Sequence, residues 1–288
     1  MNWEIASGKH IGGREEQQDS VATFSSPNGE VHLLIVADGM GGHNAGGEAS
    51  QIVIRTAQSV WNKYQQGYMV TAPLKFLLQI CEKAHYGINE LGKKYEMSSR
   101  STCVFLYINN KKVWWLHVGD SRLYHFRGKK LLRRTKDHSV VQLLVDLGRI
   151  EEEDMAKHPD QNRLFKGLGS DEVLNPDVGQ VSVRPGDSLL LCSDGFWEYV
   201  SPKKMSEKLL QTELPIKKRI KNLLKETLDA GGIKGDNIAI AVAQLPTKKR
   251  LNIGNAWHFL KSLIISLPFV EKLPSSNTAG QTHHCHLR

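Results

Sequence analysis

The sequence predicts a layered α+β sandwich, and three observations carry that prediction. Short apolar runs rich in β-branched residues recur at 31–37, 102–108, 113–118, 188–192 and 238–245, the mark of buried strands. Two long segments of helical spacing both fall between the first and second of these runs. The strands then follow one another in hairpin-like succession, without the regular strand–helix alternation of a doubly wound parallel sheet.

Taken in order, the run at 31–37 gives way to a helix at about 45–64, where Ala49, Ile52, Val53, Ala57 and Val60 form one stripe. A second helix at about 72–95 carries Leu74, Leu77, Leu78, Cys81, Ala84 and Ile88. Asn109-Asn110 makes the turn between the strands at 102–108 and 113–118. A polar stretch at 138–169, with its Glu151-Glu152-Glu153-Asp154 start and His158-Pro159, reads as helix-rich. Residues 202–230 form a further helical region before the last strand. Pro246 and the basic Lys248-Lys249-Arg250 then mark a domain end. We expect a domain at 1–246 and a basic C-terminal extension at 247–288.

Four aspartates sit where apolar runs give way to Gly, Ser or Asn. They are Asp38 in LLIVADGMGGH, Asp120 in VWWLHVGDSR, Asp194 in SLLLCSDGFWE and Asp236 in GGIKGDNIAIAVA. A carboxylate at a strand end is held by rigid backbone yet faces a cleft. Several such groups repel one another unless cations lie among them, and an all-oxygen donor set favours Mg2+ or Mn2+ over Zn2+. The residues alone therefore suggest a metal-dependent enzyme acting on phosphate. Any one of these aspartates would by itself be an ordinary turn residue; the ordered set is what argues for a site.

The composition narrows the classes. An apolar share of 40% and a charged share of 24% suit a globular protein. From Thr247 onward six Lys or Arg face Glu271 alone, so +5 of the net +8 belongs to the tail and +3 to the preceding residues. The main domain therefore offers little for nucleic acid. No basic and apolar leader opens the sequence, no run approaches the ~18 apolar residues of a spanning helix, and the four cysteines form no CxxC pair. A reducing cytoplasm fits. Gly39-Met40-Gly41-Gly42 fails as a dinucleotide fingerprint, because Asn44 stands at the third glycine and Asp38 would oppose a pyrophosphate. His283-His284-Cys285-His286 reads as tail, and His10, His32, His85 and His117 as ordinary polar residues.

The motifs in order resemble the metal-dependent protein phosphatases of the type 2C family, in its bacterial branch. They are RxxQQDS (14–20), VADGMGGHNAGGEAS (36–50), Ser101-Thr102, HVGDSR (117–122), TKDHS (135–139), LVDLGRI (144–150), HP..N (158–162), CSDGFWE (192–198) and GDNIA (235–239). The resemblance covers about residues 5–245. It implies a four-layer α-β-β-α sandwich with two central, mainly antiparallel sheets and a flap at about 139–172. It implies two core Mn2+ or Mg2+ ions, bridged by Asp38, with the Gly39 carbonyl and Asp194 and Asp236 as further ligands. Asp120 would help to hold a third, looser ion, and Asp19 would support the water shell of the metals. Arg14 would bind substrate phosphate while a metal-activated water attacks phosphorus. His43, or a metal-bound water, would protonate the leaving alkoxide.

Gln17 stands where the family usually has Asn, His138 and His158 read as structural, and Ala239 replaces a common Thr. The resemblance further implies phosphorylated proteins as partners, with a cognate Ser/Thr kinase and its substrates, or a phosphorylated anti-sigma antagonist. We expect a monomer. The rival reading is a catalytically weak member that binds or scaffolds. Residues 252–270 have the spacing of a short amphipathic helix; an interfacial membrane helix beside the basic 248–250 cluster is one reading, but with Lys261 as its only basic residue packing or protein docking is favoured.

Overall fold

Every residue from Leu33 to Ala37 is fully buried, and consecutive ones face different cores. Leu33, Ile35 and Ala37 pack towards helices, whereas Leu34 and Val36 pack towards a second sheet. That double burial is why the run is apolar throughout instead of alternating with polar residues.

The computed structural model describes residues 2–42, 45–65, 70–96 and 98–247. The strands are β1 (Glu4–His10), β2 (Asp19–Ser25), β3 (Val31–Gly41), β4 (Ser99–Ser101), β5 (Cys103–Asn109), β6 (Lys112–Val118), β7 (Arg122–Arg127), β8 (Lys130–Arg134), β9 (Asp177–Ser182), β10 (Asp187–Cys192) and β11 (Ile238–Gln244). The helices are α1 (Ala45–Gln65), α2 (Pro73–Tyr95), α3 (Val140–Asp146), α4 (Asp194–Trp197), α5 (Pro202–Leu209) and α6 (Ile216–Gly231). One sheet runs β1-β11-β10-β7-β8 and the other β2-β3-β5-β6-β9, with β4 beside β3. The pairings are antiparallel.

Three cores separate four layers. α1 and α2 cover one sheet through Val53, Phe76, Leu77 and Ile80 against Phe105, Tyr107 and Leu116. Between the sheets, Val104 and Leu106 meet Leu189, Leu191, Ala239 and Ala241. On the far side Leu190, Ile240 and Val242 meet Phe196, Leu209, Ile220 and Leu223 of α4, α5 and α6. This is the α-β-β-α sandwich that the resemblance implies.

One expectation needs correction and a second gains detail. The 138–169 stretch holds α3 and a 3-10 turn at Glu152–Lys157, and the rest is irregular. It is tied down by Val140 N–H to the Arg163 carbonyl and Phe165 N–H to the His138 carbonyl. The helical region at 202–230 is two helices, α5 and α6, divided ahead of Pro215, which lacks the N–H a continuous helix needs. The turn at Asn109-Asn110 is present, with Asn110 in the left-handed region at φ 56°. His43, the stripe at 252–270 and the histidine-rich end lie outside the described residues.

Candidate metal centre

Asp38, Asp120, Asp194 and Asp236 converge on one cleft of about 330 Å³, lined also by Arg14, Gln18, Gly39, Met40 and Asn237. They come from separate elements. Asp38 lies within β3, with its N–H donating to Thr102 Oγ1 at 3.0 Å and its carbonyl accepting from Thr102 N–H at 2.8 Å. Asp120 follows β6 after Gly119, which has φ 103°. Asp194 is the first residue of α4, and its Oδ1 accepts from Gly195 N–H at 2.6 Å. Asp236 precedes β11, and its Oδ1 accepts from Asn237 N–H at 2.7 Å.

Glycine makes this convergence sterically possible. A Cβ on Gly39 would lie 1.8 Å from the Gly46 carbonyl oxygen of α1, and one on Gly195 would lie 2.1 Å from the Asn237 carbonyl oxygen. Only backbone without side chains can come so close.

The electrostatics fit divalent cations. Burial, and then Asp194, Asp19 and Asp120, push the Asp38 carboxyl well above the usual range. Asp120 is raised by burial and next by Asp194. Asp194 is pushed up to about 6 by burial and by Asp236. Buried carboxyls that raise one another in this way are short of positive charge, and a hard cation supplies it without a proton.

Asp19 is paired with Asp38 across β2 and β3 but is not among the residues that line the cleft. It is buried behind it, accepting from Ser193 Oγ–H at 2.6 Å. Arg14 sits at the mouth, donating to Asp236 Oδ2 at 2.5 Å with its side chain 57% exposed. Gln17 does not disturb this loop. Its Oε1 accepts from Asp19 N–H at 2.9 Å, so the longer amide still closes the turn.

Several residues here escape sequence reasoning. Asn237 donates to the Ile11 and Glu16 carbonyls and accepts from Gln18 N–H at 2.6 Å, stapling the Arg14 loop to β11. Glu198 is pushed up to about 8 by burial and by Asp194 and Asp236. Asn162 and Leu164 bring the flap to the wall of the cleft. Arg122 of the HVGDSR string is a buried brace. It grips Asp137 through Nε and Nη2 and lies 3.4 Å from the centre of the Trp197 ring. Asn237, Asn162, Glu198 and Arg122 stood inside quoted motifs, as did Asp137 and Trp197; the motifs do not show which of these residues meet.

The model for the family Protein phosphatase 2C matches residues 8–230. The chain belongs to that family. It is 30% identical over 234 residues to the protein phosphatase PhpP of Streptococcus pneumoniae, covering 81% of this chain and 93% of that protein. Its fold is similar to the serine/threonine phosphatase of S. agalactiae, with a TM-score of 0.75, 31% identity, and 84% and 99% of the two chains covered. It is also similar to the catalytic domain of the serine/threonine protein phosphatase PstP in complex with two manganese ions, with a TM-score of 0.72, 28% identity, and 85% and 99% covered. By membership the chain is a metal-dependent protein phosphatase. The family match stops short of Asp236, whose place in the site rests on the geometry of the cleft.

Proposed function

We propose that this phosphatase 2C member hydrolyses phosphoserine and phosphothreonine in proteins and opposes a bacterial Ser/Thr kinase in the cytoplasm. The observation that carries the reading is the meeting of four aspartates and Arg14 in one cleft. Asp38, the Gly39 carbonyl, Asp194 and Asp236 would hold two Mn2+ or Mg2+ ions, and Asp120 a third. Bound there, the ions supply charge that screens a phosphate dianion and acidifies water. Arg14 offers a planar fork to two phosphate oxygens and fixes their approach, which a lysine cannot do. Asp19, behind the cleft, orients Ser193 and the start of α4. His43 remains the proposed proton donor to the leaving alkoxide.

A domain at 1–246 carries this chemistry, and the extension beyond it would serve location or docking on a monomeric enzyme. No helix among the described residues is long and apolar enough to cross a membrane, and Cys81, Cys103 and Cys192 are free thiols. The free thiols agree with a reducing cytoplasm.

Hydrolysis of p-nitrophenyl phosphate and of a phosphothreonine peptide, with Mn2+ and after chelation, tests the reading. We expect turnover that needs the metal. Folded, metal-loaded protein with no turnover on either substrate would leave the rival reading, a binding or scaffolding member.

A further inference from the structure

Both backbone polar groups of Gly119, the residue that leads into Asp120, are held by imidazole. Gly119 N–H donates to His138 Nδ1 at 3.1 Å, and the Gly119 carbonyl accepts from His117 Nε2 at 2.9 Å and from the His138 backbone N–H at 2.8 Å. These partners settle the tautomers: a carbonyl requires a donor and an N–H requires an acceptor. The two rings lie 4.6 Å apart at 30°. His117 is fully buried, and burial pushes it down to about 3, so it stays neutral. Only glycine fits here, because a Cβ would meet Thr102 Cγ2 at 2.6 Å. On the other side of Asp120, its own carbonyl accepts from Trp197 Nε1 at 3.0 Å. The backbone is thus fixed before and after the carboxylate.

His117, His138 and Asp177 also have ligand atoms within 4.8 Å of one another, which invites a reading as a second metal site. The tautomer of His138 argues against it. With Nδ1 accepting from Gly119, the single proton of the neutral ring sits on Nε2, which lies 3.3 Å from Asp177 Oδ1, and leaves no lone pair for a metal. Lys166 Nζ lies 3.7 Å from the same carboxylate and already supplies a cation.

We infer that His117 and His138 are positioning residues for Asp120: they lock the backbone on both sides of the Gly119 Cα and so set how tightly Asp120 holds its divalent ion. The inference rests on the proposed role of Asp120 as a ligand of the third, looser ion. His138 also ties this clamp to the flap, since its carbonyl accepts from Phe165 N–H at 2.8 Å.

The test uses amide mimicry. Asn places its oxygen where Nδ1 of histidine lies, and Gln places its nitrogen where Nε2 lies. H138N and H117Q therefore keep the clamp, whereas H138L and H117L remove it. H138Q and H117N carry the same amides one methylene out of place, and stand in where a leucine variant does not fold. Free Mn2+ is followed by electron paramagnetic resonance during titration of the full chain, beside D120A. We expect D120A to lose the weakest Mn2+ site. The leucine or misplaced-amide variants should weaken that site about tenfold or more, with the two tighter sites unchanged, and H138N and H117Q should stay within about twofold of the parent. If D120A loses the site while the clamp-breaking variants keep it, the clamp is wrong and the ligand stands. If H138N and H117Q lose as much as the leucines, the rings act by packing and the inference fails. If D120A binds Mn2+ as the parent does, the ligand reading falls and the clamp's effect on the metal falls with it.

Discussion

Asp19 and Asp38 are cross-strand partners on β2 and β3, yet only Asp38 opens into the cleft. The Asp19 carboxylate turns to Ser193, whose N–H and Oγ are also bonded to the backbone of Ala239. One carboxylate is therefore placed to hold metal and the other to hold the frame of Asp194. Asp38→Asn should cut kcat at saturating Mn2+ by at least about a thousandfold, because the metal charge that Asp38 is proposed to hold would supply several kcal/mol in the transition state. Asp19→Asn should cost about ten- to a hundredfold, the scale of an outer partner of a metal ligand. Equal losses in the two variants would make Asp19 a ligand of the same rank.

As the proposed phosphate binder, Arg14 should matter to the substrate more than to the fold. Its side chain is 57% exposed and its ion pair with Asp236 lies at the mouth of the cleft, so little stability depends on it. Arg14→Ala should raise KM about ten- to a hundredfold, the worth of one or two charge-assisted hydrogen bonds, with Tm nearly unchanged. Arg14→Lys should recover only part of that loss, because the forked geometry is gone. A collapse of kcat at constant KM would give Arg14 a role confined to the transition state.

The buried carboxyls also predict how the metal-free protein responds to pH. Burial raises Asp38, Asp120 and Asp19 well above 3.8, and raises Glu198 to about 8. In that range the folded protein holds protons that the unfolded chain has released, so stability falls as pH rises. Below about pH 6.5 the buried histidines contribute the opposite slope, against that of the carboxyls. Burial lowers His32, His85, His117 and His138, and the unfolded chain then takes up the protons. Melting in chelator should therefore show Tm falling by roughly a few degrees from pH 6.5 to 8.5. Saturating Mn2+ should remove the fall, and Glu198→Gln should reduce it. A metal-free Tm that climbs over that interval would mean that the cluster is not short of positive charge.

The interior strands were legible because both their faces are buried, so 102–108 and 188–192 could hardly be anything else. The edges were not. β8 is the exposed run KLLRR, and β9 is DVGQVS, exposed over most of its length. Even β7, which is almost wholly buried, reads as polar. Its Arg122 and His125 are bonded to Asp137 and Asp187, 15 and 62 residues along the chain. The site divides in the same way. Aspartates at strand ends announce themselves locally, whereas the importance of Thr102, Ser193 and Asn237 comes from hydrogen bonds between distant positions. His117 looked ordinary because nothing near it in sequence shows that it is fully buried against Gly119.

The end of the catalytic unit can be argued from the last anchored residues. β11 lies between β1 and β10, and Leu245 extends its hold: its N–H donates to the Asp187 carbonyl at 3.0 Å and its carbonyl accepts from Gly186 N–H at 2.7 Å. Leu245 is 4% exposed, in the core between the sheets. The cleft draws on Arg14 to Asn237, and the compact unit closes at Thr247. We therefore expect a chain ending at Thr247 to hydrolyse p-nitrophenyl phosphate within about twofold of the full chain and to melt within a few degrees of it, roughly the shift that 1 kcal/mol produces. A chain ending at Ala241 should fail on both counts. It loses Val242, Ala243 and Leu245 from two cores at once, and each large buried side chain removed costs about 2–5 kcal/mol. Measured side by side, Tm and Mn2+-dependent turnover decide the matter. Loss of activity or solubility in the chain ending at Thr247 would make the basic extension part of the fold, and would overturn its proposed role in location or docking.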